Sequence, residues 1–149
     1  MLLHAPWAGR DAVEGAFVLD AFAGTGALGL EALSRGAAAA TFIECDRAAL
    51  RALRSNIATC GAEQRCTVVA GDALKPPAGR LCSLVFLDPP YGQGLVCRAL
   101  ECLAARGWVG PGTLIVAETG RDEVTPGPPP LLAERMYGAA RISVWRATE

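Results

Sequence analysis

Two short runs in this chain hold residue types that could do chemistry together. The first is Asp20-Ala21-Phe22-Ala23-Gly24-Thr25-Gly26-Ala27-Leu28-Gly29. Its glycines let the backbone turn tightly and approach a ligand with no Cβ in the way. A helix opening just after such a turn offers free N–H groups. Gly24-x-Gly26-x-x-Gly29 is by wording a dinucleotide fingerprint, and by itself a weak one. Its context is right, with an apolar run from Phe17 to Ala21 before it and a helical pattern after it. Glu44 follows about twenty residues later, where a ribose-binding carboxylate belongs. The plainer alternative is a structural strand–helix turn with a surface acid nearby.

Asp20 bears on which ribose-bearing cofactor this would be. A carboxylate four residues before Gly24 would repel a pyrophosphate and suit an ammonium group. S-adenosylmethionine carries both an ammonium and a sulfonium. The alternative role for Asp20 is to orient the loop by binding backbone N–H groups.

The second run, Asp88-Pro89-Pro90-Tyr91, decides the reading. It follows a uniformly apolar strand-like stretch. In an open α/β sheet it would face the glycine turn across the crevice at the carboxyl ends of the strands. An Asp carboxylate can accept a hydrogen from the exocyclic amino group of a base. Pro89 has no N–H, and paired prolines stiffen the backbone so that a carbonyl can take the second hydrogen. Tyr91 offers a face for the base. Drawing both hydrogens away exposes the nitrogen lone pair to an activated methyl group. Positioning supplies much of the rate in such a displacement. Asp72 and Ala73, after the third strand, could hold an adenine, although Asp near a strand end is often just a cap. Asn56 reads as a surface residue.

Apolar periodicity supplies the elements that must position these groups. Strands are expected at Phe17–Ala21, Ala39–Glu44, Arg65–Ala70, Cys82–Leu87 and Thr113–Ala117. Helices are expected from Ala27 to Arg35, from Arg47 (capped by Asp46) to about Cys60, and from Leu95 to Ala105. This alternation implies a doubly wound α/β fold with a mostly parallel sheet. Leu131–Met136 and Ala140–Arg146 then read as an antiparallel hairpin at the sheet edge, turning at Tyr137-Gly138 and approached through Gly127-Pro128-Pro129-Pro130. The connection from Gly71 to Leu81 is short for a parallel crossover and holds two prolines, so a strap rather than a helix is expected there.

Composition narrows the class. One domain over residues 1–149 fits the length, and 52% hydrophobic residues can fill its core. The net charge of −1 argues against a free-standing nucleic-acid binder, which usually carries a basic excess. The six cysteines form no C-x-x-C pair, and the one histidine is His4, so reduced thiols and no metal are expected. No apolar run is long enough to span a membrane, and no signal peptide is seen in residues 1–15, which makes the cytoplasm the default location.

Between Phe17 and Glu118 the chain resembles the RsmD family of class I methyltransferases. The resemblance is carried by Leu19-Asp20-x-Phe22-Ala23-Gly24-Thr25-Gly26-Ala27-Leu28-Gly29-Leu30-Glu31-Ala32-Leu33-Ser34-Arg35-Gly36, by Ile43-Glu44-x-Asp46-Arg47 and by Asp88-Pro89-Pro90-Tyr91. It implies a Rossmann-like fold and methyl transfer from S-adenosylmethionine to the N2 amino group of a guanine in small-subunit ribosomal RNA. The partner would be that RNA or the assembling subunit. It implies cofactor binding by Asp20, Phe22, Ala23, Gly24, Thr25, Gly26, Glu44, Cys45, Asp72 and Ala73. Asp88, Pro89, Pro90 and Tyr91 would hold the target base. Family members begin with an Arg-rich arm carrying an Arg-Pro-Thr segment; this chain begins near where that arm ends, and the arm is expected to be missing. Three other readings compete: a DNA adenine-N6 or cytosine-N4 methyltransferase, a cofactor-binding module without activity, and a small NAD-binding domain.

Overall fold

The computed structural model describes residues 12–124, 126–128 and 131–148. The stretch read for a signal peptide and the family's arm, His4, and Pro129 and Pro130 of the hairpin approach fall wholly or largely outside these residues.

Among the described residues seven strands form one sheet: β1 (Phe17–Asp20), β2 (Ala39–Glu44), β3 (Cys66–Ala70), β4 (Leu84–Leu87), β5 (Leu114–Gly120), β6 (Ala133–Tyr137) and β7 (Ala140–Arg146). Their spatial order is β3-β2-β1-β4-β5-β7-β6. The first five run parallel, and β7 pairs antiparallel with both β5 and β6. This is the doubly wound, mostly parallel sheet with a C-terminal hairpin that the apolar pattern implied. The order reverses between β1 and β4, which puts a crevice at their carboxyl ends. Asp20 sits opposite Phe86, so the two chemical runs leave the sheet side by side.

β4 is buried along its whole length, as a strand covered on both faces must be. One core layer gathers Phe42, Leu53, Ile57 and Phe86; the other gathers Leu19, Val85, Leu103, Trp108 and Ile115. Helix α1 (Ala27–Ser34) lies close on β2, because a Cβ at Gly29 would overlap the Phe42 ring. Helix α2 (Arg47–Thr59) starts at Asp46, whose carboxylate accepts the Ala49 N–H at 2.9 Å. Helix α3 (Leu95–Ala105) covers the other face through Val96, Ala99 and Leu103.

The connection between β3 and β4 contains no helix, as its length and prolines implied. Trp108 does part of a helix's work. Its indole N–H donates to the Pro77 carbonyl at 2.9 Å, and its own carbonyl accepts from Cys82 at 3.0 Å. Gly79 lies against the indole, where a side chain would collide. The bond from Cys82 to Trp108 also explains why β4 begins at Leu84, two residues later than the apolar run suggested. β5 extends three residues further than expected, to Gly120, because β7 continues to pair with it as far as Ala140. The hairpin turns at Gly138-Ala139, one residue later than read, with Tyr137 paired to Ala140 and Gly138 at φ 57°.

All six cysteines are free, and burial pushes the Cys82 thiol up to about 11. Among the described residues no helix is long and apolar enough to cross a membrane.

Candidate active site

The glycine turn is built by what flanks it. Gly24 and Gly26 adopt φ 56° and 88°, a left-handed region where a side chain would be strained. Gly26 stands at the N-cap of α1 and offers no capping side chain. Asp20, at the end of β1, takes over that task. Its Oδ2 accepts the N–H of Gly29, in the first turn of the helix, at 3.1 Å. The loop-orienting alternative for Asp20 is therefore part of its role. Asp20 is 1% exposed. Burial pushes its carboxyl up to about 7 against the pull of the Gly29 bond, and the charges of Asp88 and Glu44 add to the rise.

Glu44, at the end of β2, ties the turn to the sheet. Its Oε1 accepts from Gly24 N–H at 2.7 Å, and its Oε2 accepts from Cys45 and Asp46 N–H at 3.1 and 2.8 Å. A carboxylate has about four acceptor positions, so capacity remains for a ligand hydroxyl. Asn56 is exposed, as expected of a surface residue. It nevertheless donates to the Thr25 carbonyl at 3.0 Å, a second anchor on the turn that sequence reading did not give.

Between the turn and the end of β4 lies a cavity of about 280 Å³. Eight of the residues read as functional line it: Phe22, Gly24, Glu44, Cys45, Asp72, Ala73, Asp88 and Pro90. Ala21, Ile43 and Gly71 line it as well and were not singled out from sequence. Their apolar or bare character gave no chemical signal. Asp20, Ala23, Thr25, Gly26, Pro89 and Tyr91 are not part of the lining. Ala23 is held by a bond from its N–H to the Ile43 carbonyl at 3.0 Å, and Gly26 is buried against Leu53. Asp72 caps its own turn by accepting the Leu74 N–H at 2.8 Å, so it is both a cap and a cavity wall.

The run after β4 meets an acid that sequence reading missed. Glu118, near the end of β5, accepts the Tyr91 hydroxyl. That bond, with some burial, pushes the Tyr91 phenol up to about 12. Asp88 stands at the exposed rim, yet its carboxyl group is partly enclosed. Burial first, and then the charge and hydrogen bond of Glu118, push it up to about 6. The register of β4 on β5, with Leu87 paired to Ala117, brings Glu118 here; nothing in its local sequence announces it. Further along, Glu123 accepts the Gly120 N–H. The backbone N–H groups of Gly120 and Gly92 hold its carboxyl below the usual range.

Known proteins resemble this chain in sequence and in fold. A family model described as conserved hypothetical protein 95 matches residues 6–146. The ribosomal RNA small subunit methyltransferase D of Haemophilus influenzae is 39% identical over 135 residues, covering 86% of this chain and 70% of that protein. The protein of the same name from Escherichia coli is 43% identical over 113 residues, covering 74% of this chain. The chain spans only 57% of that E. coli relative's length. Among solved structures, a putative methyltransferase, yhhF, from Escherichia coli superposes with a TM-score of 0.81 at 37% identity, covering 91% of this chain and 77% of the other. By sequence and by fold, the chain belongs to the RsmD family of class I methyltransferases.

Proposed function

We propose that this chain transfers a methyl group from S-adenosylmethionine to the exocyclic N2 amino group of a guanine in small-subunit ribosomal RNA. The observation that carries this reading is one cavity with two walls: the glycine turn with Glu44 on one side, Asp88 and Pro90 on the other. The relatives named as ribosomal RNA methyltransferases support the RNA substrate.

The residues fit the cofactor. Asp20, Glu44 and Asp88 give the cavity a concentration of acid that favours a cationic ligand and disfavours a pyrophosphate. Glu44 would take the ribose hydroxyls, and Asp72 with Ala73 the adenine. Gly24 lets the backbone come close, with Phe22 and Cys45 completing the wall. Asp20, Ala23, Thr25 and Gly26 act from behind by holding the turn in shape. When bound, S-adenosylmethionine supplies a methyl group activated by a sulfonium leaving group.

The chain's own residues hold the acceptor. Asp88 accepts one hydrogen of the amino group. Pro89 and Pro90 fix the backbone so that a carbonyl can accept the other. Tyr91 stacks on the base. The amino nitrogen's lone pair is then directed at the methyl carbon. Its surplus proton leaves after transfer, for which a carboxylate titrating near 6 is a sufficient acceptor.

Calorimetric titration with S-adenosylhomocysteine, with NADH as control, tests the cofactor. Micromolar binding of the first and none of the second is expected. Tight NADH binding without S-adenosylhomocysteine binding would replace this reading with a nucleotide-binding domain of another kind.

A further inference from the structure

We propose that Glu118 is a positioning residue for the target base: from strand β5 it anchors the Tyr91 ring by its hydroxyl, and it stands beside Asp88, one residue past the paired Leu87 and Ala117. This rests on the reading of Asp88 to Tyr91 as the base-holding run.

Tyr91 needs an anchor. It is 43% exposed, so packing alone leaves much of the ring unsupported. Its hydroxyl reaches Glu118, on a strand paired to β4 through Leu87 and Ala117 and to β7 through Glu118 and Ile142. A ring fixed to that frame presents one face to a base, where a free ring would first have to be ordered.

The second half of the role concerns charge. The groups facing Asp88 are Glu118 from β5, Asp20 from β1 and Tyr91 from its own loop; Glu123 faces Tyr91 in turn, with Arg141 of β7 beyond it. Asp88 therefore meets acids and a phenol. A neighbouring negative charge disfavours ionisation, so Glu118 beside Asp88 keeps the Asp88 proton on to higher pH. An arriving amino group donates one hydrogen to Asp88, which can accept it only after giving up its own proton. The base site is thus matched to an amino group and filled only when Asp88 is ionised.

The test compares wild type, E118Q and E118A for methyl transfer to small-subunit ribosomal RNA at saturating S-adenosylmethionine from pH 5 to 9. The carboxyl carbon of Asp88 is followed by NMR titration in wild type and E118Q. Glutamine keeps an oxygen for the Tyr91 hydroxyl and gives Asp88 an N–H donor. E118Q should keep KM for RNA within about threefold while the acid limb of kcat and the Asp88 titration both move to lower pH. E118A, which loses the anchor, should raise KM for RNA about tenfold or more. An active wild type whose E118Q variant keeps the same acid limb and the same Asp88 titration overturns the proposal. A wild type that methylates no RNA overturns the functional reading instead. The Asp88 titration then judges Glu118 alone: a shift in E118Q supports the coupling, and no shift overturns it.

Discussion

Asp20 and Gly29 are joined across the first turn of α1, the carboxylate at the end of β1 accepting the helix N–H at 3.1 Å. A strand-end acid thereby caps a helix whose own N-cap residue is a glycine. The cost is a buried charge. The Asp20 carboxyl rises from 3.8 to about 7, mainly through burial. A group whose folded value lies above its unfolded value binds more protons when folded, so its contribution to stability falls as pH climbs from 3.8 to about 7. Asp20→Asn keeps an oxygen for Gly29 and removes the charge. Its melting temperature should exceed wild type at pH 8, and the gain should fade towards pH 4. Equal melting temperatures at pH 8 would show that Asp20 bears no such penalty.

The same carboxyl should couple cofactor binding to protons. A bound cation favours the ionised form, so at pH 6 S-adenosylmethionine binding should release a fraction of a proton, vanishing at pH 9. Calorimetry in two buffers of different ionisation enthalpy reads this directly. Asp88, in the cavity wall and pushed up to about 6, adds its own share, so the release should fall but not vanish in Asp20→Asn; identical release in the variant would assign it to another group.

Glu44 holds three backbone N–H groups as well as its expected ribose contact. Glu44→Ala should weaken S-adenosylhomocysteine binding by about 1–3 kcal/mol, the range for losing a charged hydrogen-bond partner. Unchanged affinity by calorimetry would leave Glu44 with its role in the turn alone.

Gly29 permits α1 to lie on Phe42. Gly29→Ala should destabilise the fold by about 1–3 kcal/mol through overpacking. Adding Phe42→Leu should return part of that loss, because the two side chains compete for one space. Denaturant unfolding of the single and double variants measures this; strictly additive losses would mean the overlap is relieved elsewhere.

The sheet was legible because its strands are short apolar runs separated by glycine and cap residues. Gly36, Asp46, Gly61 and Gly107 punctuate the helices where they stop or start. The ends of strands read less well, because partners set them: Ala140 extends β5 and Trp108 delays β4. In the site, Asp20, Glu44 and Asp88 announced themselves by type and spacing. Glu118 did not, since its meeting with Tyr91 depends on the register of β4 on β5. The bonds of Glu44 and Asn56 to the glycine turn are likewise contacts between separate segments, made only when β2 and α2 fold against it.

The most direct test of the central claim is to identify the methylated product. The chain is incubated with S-adenosylmethionine carrying a labelled methyl group and with small-subunit ribosomal RNA or the assembling subunit. The RNA is then digested to nucleosides and analysed by mass spectrometry, with Asp88→Ala alongside. Label in N2-methylguanosine from the wild type is the predicted result. Asp88→Ala should give none while binding S-adenosylhomocysteine within a few fold of wild type. Label in an adenosine or cytidine product, or full transfer by Asp88→Ala, would contradict the account.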